Sequence, residues 1–299
     1  MSNFELSDSQ TNVSEQLGLN LSSPSELFQV RFWGVRGLIP TPSNHNIRYG
    51  GNTGCVEMSV AGKRLIFDGG TGLRILGATL QELHQTLEAH LFFTNSQSNR
   101  IQGFPFFAPA FIAGNHFHVY GTAASNGASI KQCLCDQMLQ PHFPYPLQVM
   151  QSRLEFYNLT PGKLIELDRV KIKTGLINKT QRSIGYHVNW EGWNVAYATD
   201  LHKLIHADEQ TQILRMIEDA DLWITNAIYT PPTENKHEGA DSFWQITVDM
   251  AQKAGVKRLV ISYHHPDDHD NFLDSVQTQV QSVFPKALLA REGLILTIN

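Results

Sequence analysis

The order of strand-like and helix-like runs constrains this chain more than any other feature. Residues 28–34 and 55–60 are rich in β-branched and aromatic side chains, and 64–68 follows the turn Ala61-Gly62-Lys63, as in a hairpin. Residues 73–87 then space their apolar side chains as a helix does. Further strand-like runs fall at 116–120, 154–159, 170–177, 185–190, 193–198, 222–225, 258–263 and 293–298. Helix-like runs fall at 130–139, 203–219, 242–254 and 271–284. Strand pairs first, and strand–helix alternation later, predict an α/β chain with two stacked sheets and helices outside.

Composition removes several classes of function. The chain has 299 residues, is 41% hydrophobic and 17% charged, and carries a net charge of -5. Those values suit a globular protein with a substantial core. The scattered lysines make no basic stripe, so no nucleic-acid partner is expected. No apolar run approaches the roughly 18 residues that span a bilayer, so no membrane partner is expected either. The opening Met1-Ser2-Asn3-Phe4-Glu5 has neither a basic nor an apolar stretch and does not read as a signal peptide. Residues 1–27 are polar, rich in Ser, Asn and Gln, and read as a flexible tail before a domain at 28–299. The three cysteines, Cys55, Cys133 and Cys135, are sparse and odd in number, which points to reduced thiols and a cytoplasmic location.

The chemistry concentrates in one segment. Thr94-Asn95-Ser96-Gln97-Ser98-Asn99-Arg100 ends a strand-like run and leads into Ile101-Gln102-Gly103. The frame resembles the Thr-His-x-His-x-Asp-His motif, followed by Ile-Gln-Gly, of the metallo-β-lactamase superfamily. The branch that it resembles holds the ribonuclease Z-like and cyclic-nucleotide phosphodiesterase-like proteins. Gly34-Val35-Arg36-Gly37, Tyr49-Gly50-Gly51-Asn52-Thr53-Gly54-Cys55, Phe67-Asp68-Gly69-Gly70-Thr71-Gly72-Leu73-Arg74, Ala198-Thr199-Asp200 and the segment from Gly255 to Val260 resemble further motifs of that branch, in order. The resemblance covers residues 29–299 and implies a four-layer αββα sandwich, a hydrolase ancestry, and a homodimer.

It also implies which positions would hold metal, and there this chain departs. The first cluster would be filled by Asn95, Gln97, Asn99 and Arg100, and the next ligand by Asn178. Amide oxygens are weak zinc donors, and a guanidinium offers no acceptor at all. The bridging aspartate is retained as Asp200. The ungapped register puts Tyr263 at the last ligand position; a one-residue gap would put His264 there instead. Gly239-Ala240-Asp241 lacks the histidine of a further motif.

No cofactor and no metal are therefore expected, and no catalytic residue is assigned. Asp200 without a cation would be a costly buried carboxylate. Arg100 is expected to pair with it, directly or through water, with Asn95, Gln97, Asn99 and Asn178 completing the network. The alternative is that Arg100 reaches solvent and Asp200 caps a loop. Asp68 and Arg36 are expected to tie loops together. His116 and His118 share a strand face and read as half-exposed surface. Phe104-Pro105-Phe106-Phe107-Ala108-Pro109-Ala110-Phe111 suits either an interface or the core. The functional expectation is a pseudoenzyme that binds a small ligand or protein partner, with Asp68, Arg100, Asp200 and His264 as candidate contacts. The alternative is a divergent metal-dependent phosphodiesterase built on Asp200 with His264 or His265.

Overall fold

The computed structural model describes residues 27–202, 207–226 and 243–298. The predicted tail, residues 203–206 at the start of one predicted helix, and Gly239-Ala240-Asp241 lie outside the described residues.

Strands β1 (Phe28–Gly34), β2 (Cys55–Val60) and β3 (Lys63–Phe67) pair antiparallel, and β2 turns into β3 through Ala61 and Gly62 at φ +50° and +73°. Such positive dihedrals match the right-handed twist of the flanking strands. From β3 the sheet continues parallel through β4 (Glu88–Phe93), β5 (His116–Thr122) and β6 (Arg153–Leu159). Parallel neighbours need crossovers. These carry α1 (Gly72–Gln81), the short turn α2 (Ser98–Ile101) and α3 (Ile130–Asp136).

The second half repeats the scheme. β7 (Leu164–Leu167), β8 (Val170–Asn178), β9 (Ser183–Trp190) and β10 (Trp193–Tyr197) pair antiparallel. β11 (Leu222–Asn226), β12 (Leu259–Ser262) and β13 (Ala287–Leu289) then extend the sheet in parallel. Their crossovers carry α4 (Ala207–Ile217), α5 (Phe243–Lys253) and α6 (Asp270–Val283). β14 (Ile295–Ile298) returns to pair antiparallel with β1, with Phe28 opposite Ile298. Each half thus has three antiparallel pairings followed by three parallel ones, an internal pseudo-symmetry.

Burial explains the four layers. Phe28, Val30, Phe32, Met58, Phe67 and Phe92 meet Tyr186, Val188, Val195, Tyr197, Ile224 and Val260 between the sheets. Leu73, Leu76, Leu80, Phe93 and Phe104 pack under the helices of the first sheet, and Trp223, Val248, Ala251, Leu259, Leu273 and Val276 under those of the second. Central strands are therefore apolar on both faces, as parallel strands covered twice must be. No helix among the described residues is long and apolar enough to cross a membrane.

One expectation needs correction, and one open alternative is decided. The helix foreseen at 73–87 stops at Gln81, because His84 turns into the left-handed region (φ +49°) and the chain must extend for β4. The segment 104–111 belongs to the core: Phe104, Phe107 and Ala110 are fully buried, and Phe106 alone of its rings is largely exposed, set edge-on against Phe143.

Candidate functional site

The carboxyl ends of β3, β4, β10 and β12 converge on one edge of the sandwich, where α/β sheets usually place their chemistry. Asp68, Asp200 and Tyr263 follow three of these strand ends in left-handed backbone conformations, with φ of +58°, +77° and +57°. For residues other than glycine each such turn costs on the order of 1 kcal/mol or more, and it persists only where the surroundings hold it.

At the centre lies Asp68. Its Oδ1 accepts the Thr94 amide N–H at 2.8 Å. Its Oδ2 accepts Arg100 Nη1 at 2.6 Å, the Tyr263 hydroxyl at 2.7 Å and the Tyr197 hydroxyl at 2.9 Å. Thr94 Oγ1 sits 2.9 and 3.0 Å from the two carboxylate oxygens. The Asp68 and Arg100 side chains are only 0% and 3% exposed, so this is a buried ion pair. Arg100 Nη1 also donates to Thr199 Oγ1 at 2.7 Å and Thr94 Oγ1 at 3.1 Å. Its Nε has no hydrogen-bond partner, but the Tyr263 ring lies against the guanidinium at 3.9 Å. That face supplies π-density to a cation already shielded from water. A side chain on Gly54 would collide with that ring, its Cβ falling 2.3 Å from Tyr263 Cζ.

Burial by itself would lower the Arg100 pKa, but the Tyr263, Asp68 and Asp200 oxygens outweigh it and raise it above its ordinary value. Burial pushes the Tyr263 and Tyr197 phenols well up, so both stay protonated and donate.

Asp200 stands at the rim of this group. Its Oδ2 accepts from Ser183 Oγ in a very short contact and from Asn95 Nδ2 at 3.3 Å. Arg100 Nη2 is 4.0 Å from Asp200 Oδ1. The guanidinium therefore reaches Asp200 as expected from sequence, but its short bonds go to Asp68 and Thr199. Asn95 bridges Ser183 (2.8 Å), Asp200 and the Gln97 amide (2.9 Å). Asn178 donates to the Asp200 carbonyl at 3.3 Å and accepts the Gln181 amide at 3.0 Å. Asn99 is buried. The Gln97 side chain turns outward to Gln181 at 2.9 Å.

His264 does something else. Its Nε2–H donates to the Ala290 carbonyl at 2.7 Å, its ring stands edge-on to Tyr49, and burial drops its pKa to about 3. His265 lies beside Asp267 at 3.5 Å. Arg36 ties three loops, donating to the carbonyls of Gly50 (2.7 Å), Asp268 (2.8 Å) and His265 (3.2 Å).

Sequence reasoning missed Thr94, Ser183 and Tyr197 as members of the centre. Thr94 closes the strand before the altered motif, and Tyr197 stands two residues before Thr199, so strand alternation was the available signal.

The donor set does not suit the divalent ions that the resemblance implies. A permanently charged guanidinium lies against both carboxylates. The remaining groups are amides, hydroxyls and protonated phenols, which are weak ligands for zinc.

Solved structures place the fold. The chain superposes on the metallo-β-lactamase fold protein YhfI from Bacillus subtilis with a TM-score of 0.64, covering 91% of this chain and 99% of that one at 14% identity. A diphosphatase from the PhnP family matches with a TM-score of 0.64, over 91% of this chain and 98% of that one at 15% identity. The short form of human tRNase Z matches with a TM-score of 0.61, over 91% and 99% at 16% identity. The chain has the metallo-β-lactamase fold, an α/β sandwich. No protein-family model and no curated protein matches it.

Proposed function

We propose that this protein is a metallo-β-lactamase-fold pseudoenzyme that binds a small ligand or a protein partner without a metal at the fold's usual centre. The observation that carries this reading is the Arg100 guanidinium, 2.6 Å from Asp68 and 4.0 Å from Asp200. A fixed cation there offsets carboxylate charge that would otherwise need a metal ion, and it opposes a second cation at the same place. A cavity of about 420 Å³ next to the centre gives a small ligand room. Its walls include Thr122, Ser129, Asn158, Arg182 and Ile184, and the Ile184 amide is bonded to the Thr94 carbonyl at 3.0 Å. A homodimer, carried over from the resemblance, is part of the proposal; a monomeric mass by light scattering removes it.

The hydrolase alternative needs His264 or His265 working beside Asp200. The His264 ring is occupied by Ala290 and Tyr49, which argues against it. The test is turnover of phosphodiester and diphosphate substrates in added Zn²⁺ or Mn²⁺. The expected result is no turnover above that of Asp200→Ala. Metal-dependent turnover that Asp200→Ala abolishes would overturn the reading.

A further inference from the structure

At the opposite end of β4 and β5 lies a second polar cluster that the centre does not use. The parallel register sets Glu88 beside His116, His90 beside His118, and Glu155 of β6 on the other side of His118. Side chains two residues apart on a strand share a face, so Glu88, His90, His116, His118 and Glu155 all project from the same side of the sheet. The His118 ring is 4.1 Å from the His116 ring and 4.6 Å from the His90 ring, centroid to centroid.

Three observations make this more than a polar surface. One donor atom each from Glu88, His116 and His118 can be chosen so that all lie within 4.8 Å of one another. His118 Nε2 is 3.4 Å from Glu88 Oε1, which is about the edge of a tetrahedron with metal–ligand bonds of about 2.0–2.1 Å. The remaining closure falls to Glu88, whose side chain is 62% exposed and free to swing. Second, His116 Nε2 is sealed from solvent with no hydrogen bond, its near neighbour being Glu155 Oε1 at 3.6 Å. A buried imidazole nitrogen left in this state costs on the order of 1–3 kcal/mol unless something coordinates it. Third, the other nitrogen of His118, Nδ1, faces Glu155 Oε2 at 3.4 Å, and Glu155 is itself held by Arg153 and by the Tyr157 hydroxyl at 2.6 Å. A ligating histidine that turns its second nitrogen to an anchored carboxylate has its ring orientation and tautomer fixed for the metal.

We propose that Glu88, His116 and His118 form a binding site for a divalent transition-metal ion, zinc or a late first-row relative, with Glu155 orienting His118. Two imidazoles and one carboxylate select such ions over calcium or magnesium, which prefer all-oxygen shells. Three protein ligands leave a fourth position open. Glu88 and His118 line a cavity of about 740 Å³ whose walls also include Lys63, Tyr120, Tyr157 and Asp168, so that position faces space for water or an outside ligand. The site shares no residue with the Arg100–Asp68 centre.

The experiment uses the full chain, stripped with a chelator and titrated with Zn²⁺ by calorimetry and with Co²⁺ by visible absorption. One equivalent is expected to bind, with cobalt bands of low-symmetry coordination. His116→Ala and His118→Ala are each expected to weaken binding at least about tenfold, and Glu88→Gln, which keeps shape and folding, to do so as well. Circular dichroism establishes that each variant is folded. Asp200→Asn is expected to leave affinity and spectrum unchanged. Absence of binding to the folded wild-type chain overturns the proposal, as does binding indifferent to both histidine substitutions. Binding that Asp200→Asn removes would overturn this site and the metal-free centre together.

Discussion

Two polar clusters sit at opposite ends of the same strand, β4, six residues or about 20 Å apart. At the Thr94 end a buried carboxylate, a guanidinium, two phenols and two threonine hydroxyls close on one another, and the cation comes from the chain itself. At the Glu88 end three neighbouring imidazoles and two carboxylates collect, and one sealed nitrogen is left unbonded. The difference teaches how a sandwich can carry buried polarity. It is tolerable when every charge finds its opposite, and where it does not, the shortfall marks the place at which something from outside would be bound. Three aromatic rings, Phe92, Tyr120 and Tyr157, stack at 4.6 and 4.7 Å between the two ends and keep them in separate environments.

The comparison breaks most easily at its closed end. Arg100→Ala leaves Asp68 buried beside two phenols with no cation, and is expected to cost about 3–5 kcal/mol in urea unfolding. Adding Asp68→Asn should return part of that loss, because the stranded charge is gone; the double-mutant cycle reads the coupling directly. A loss below about 1 kcal/mol for Arg100→Ala would mean that the pair is not what closes the centre.

Acid should be the next largest perturbation. His264, behind Tyr263, has its pKa lowered by burial to about 3, against about 6.5 for a histidine in an unfolded chain. The unfolded state therefore takes up the proton first. His264 contributes full stability above about pH 6.5, and the contribution is lost as pH falls toward 3, at up to about 1.4 kcal/mol per pH unit. Asp268, raised by burial to about 6, acts with the opposite sign: its contribution is full below the unfolded carboxylate value and lost as pH rises through about 6. His264→Asn should therefore remove the His264 share of the slope between pH 6 and 4, up to about 1.4 kcal/mol per pH unit, and leave the opposing Asp268 share uncovered, whatever its effect at neutral pH. An unchanged slope between pH 6 and 4 would contradict the assignment.

Tyr263→Phe isolates a smaller piece. It removes one hydroxyl donor from Asp68 Oδ2 while leaving the ring against Arg100. A loss of about 1–2 kcal/mol is expected, since Arg100, Tyr197 and Thr94 remain on the carboxylate. A loss as large as that of Arg100→Ala would shift the weight of the centre from the ion pair to the phenol.

How much of this could be read from the chain follows from the range of each interaction. The altered motif 94–100 marked the centre, because residue types without metal-donor chemistry stood where the frame asks for ligands. Asp200, Asn178 and, by the ungapped register, Tyr263 were placed near it by the same frame, and the structure brings all three to the one edge. The choice of partner for Arg100 was not legible. Asp68 and Asp200 both lie far from it in sequence, and only folding reveals that Asp68 is sealed among hydroxyl donors while Asp200 is taken by Ser183 and Asn95. β7 and β13, of four and three residues, are too short to display a period-2 pattern. His116 and His118 were visible as a shared face and read as bland surface. The register that sets Glu88 beside His116 and Glu155 beside His118 is a tertiary fact.

The smallest expected effect gives the sharpest contrast between the two ends. His116→Leu removes a sealed nitrogen that makes no hydrogen bond and replaces the ring with an apolar group of similar reach. In chelator-treated protein the two consequences oppose each other: the unsatisfied polar atom disappears, while the tilted ring contact with His118 at 4.1 Å is lost. The net change should lie within about 1 kcal/mol. The same substitution should abolish any stabilisation by added zinc, which for the wild-type chain amounts to about 2.7 kcal/mol at a hundredfold excess over Kd. A metal-free loss approaching that of Arg100→Ala would mean that His116 is already satisfied within the fold, and the two ends of β4 would then be alike.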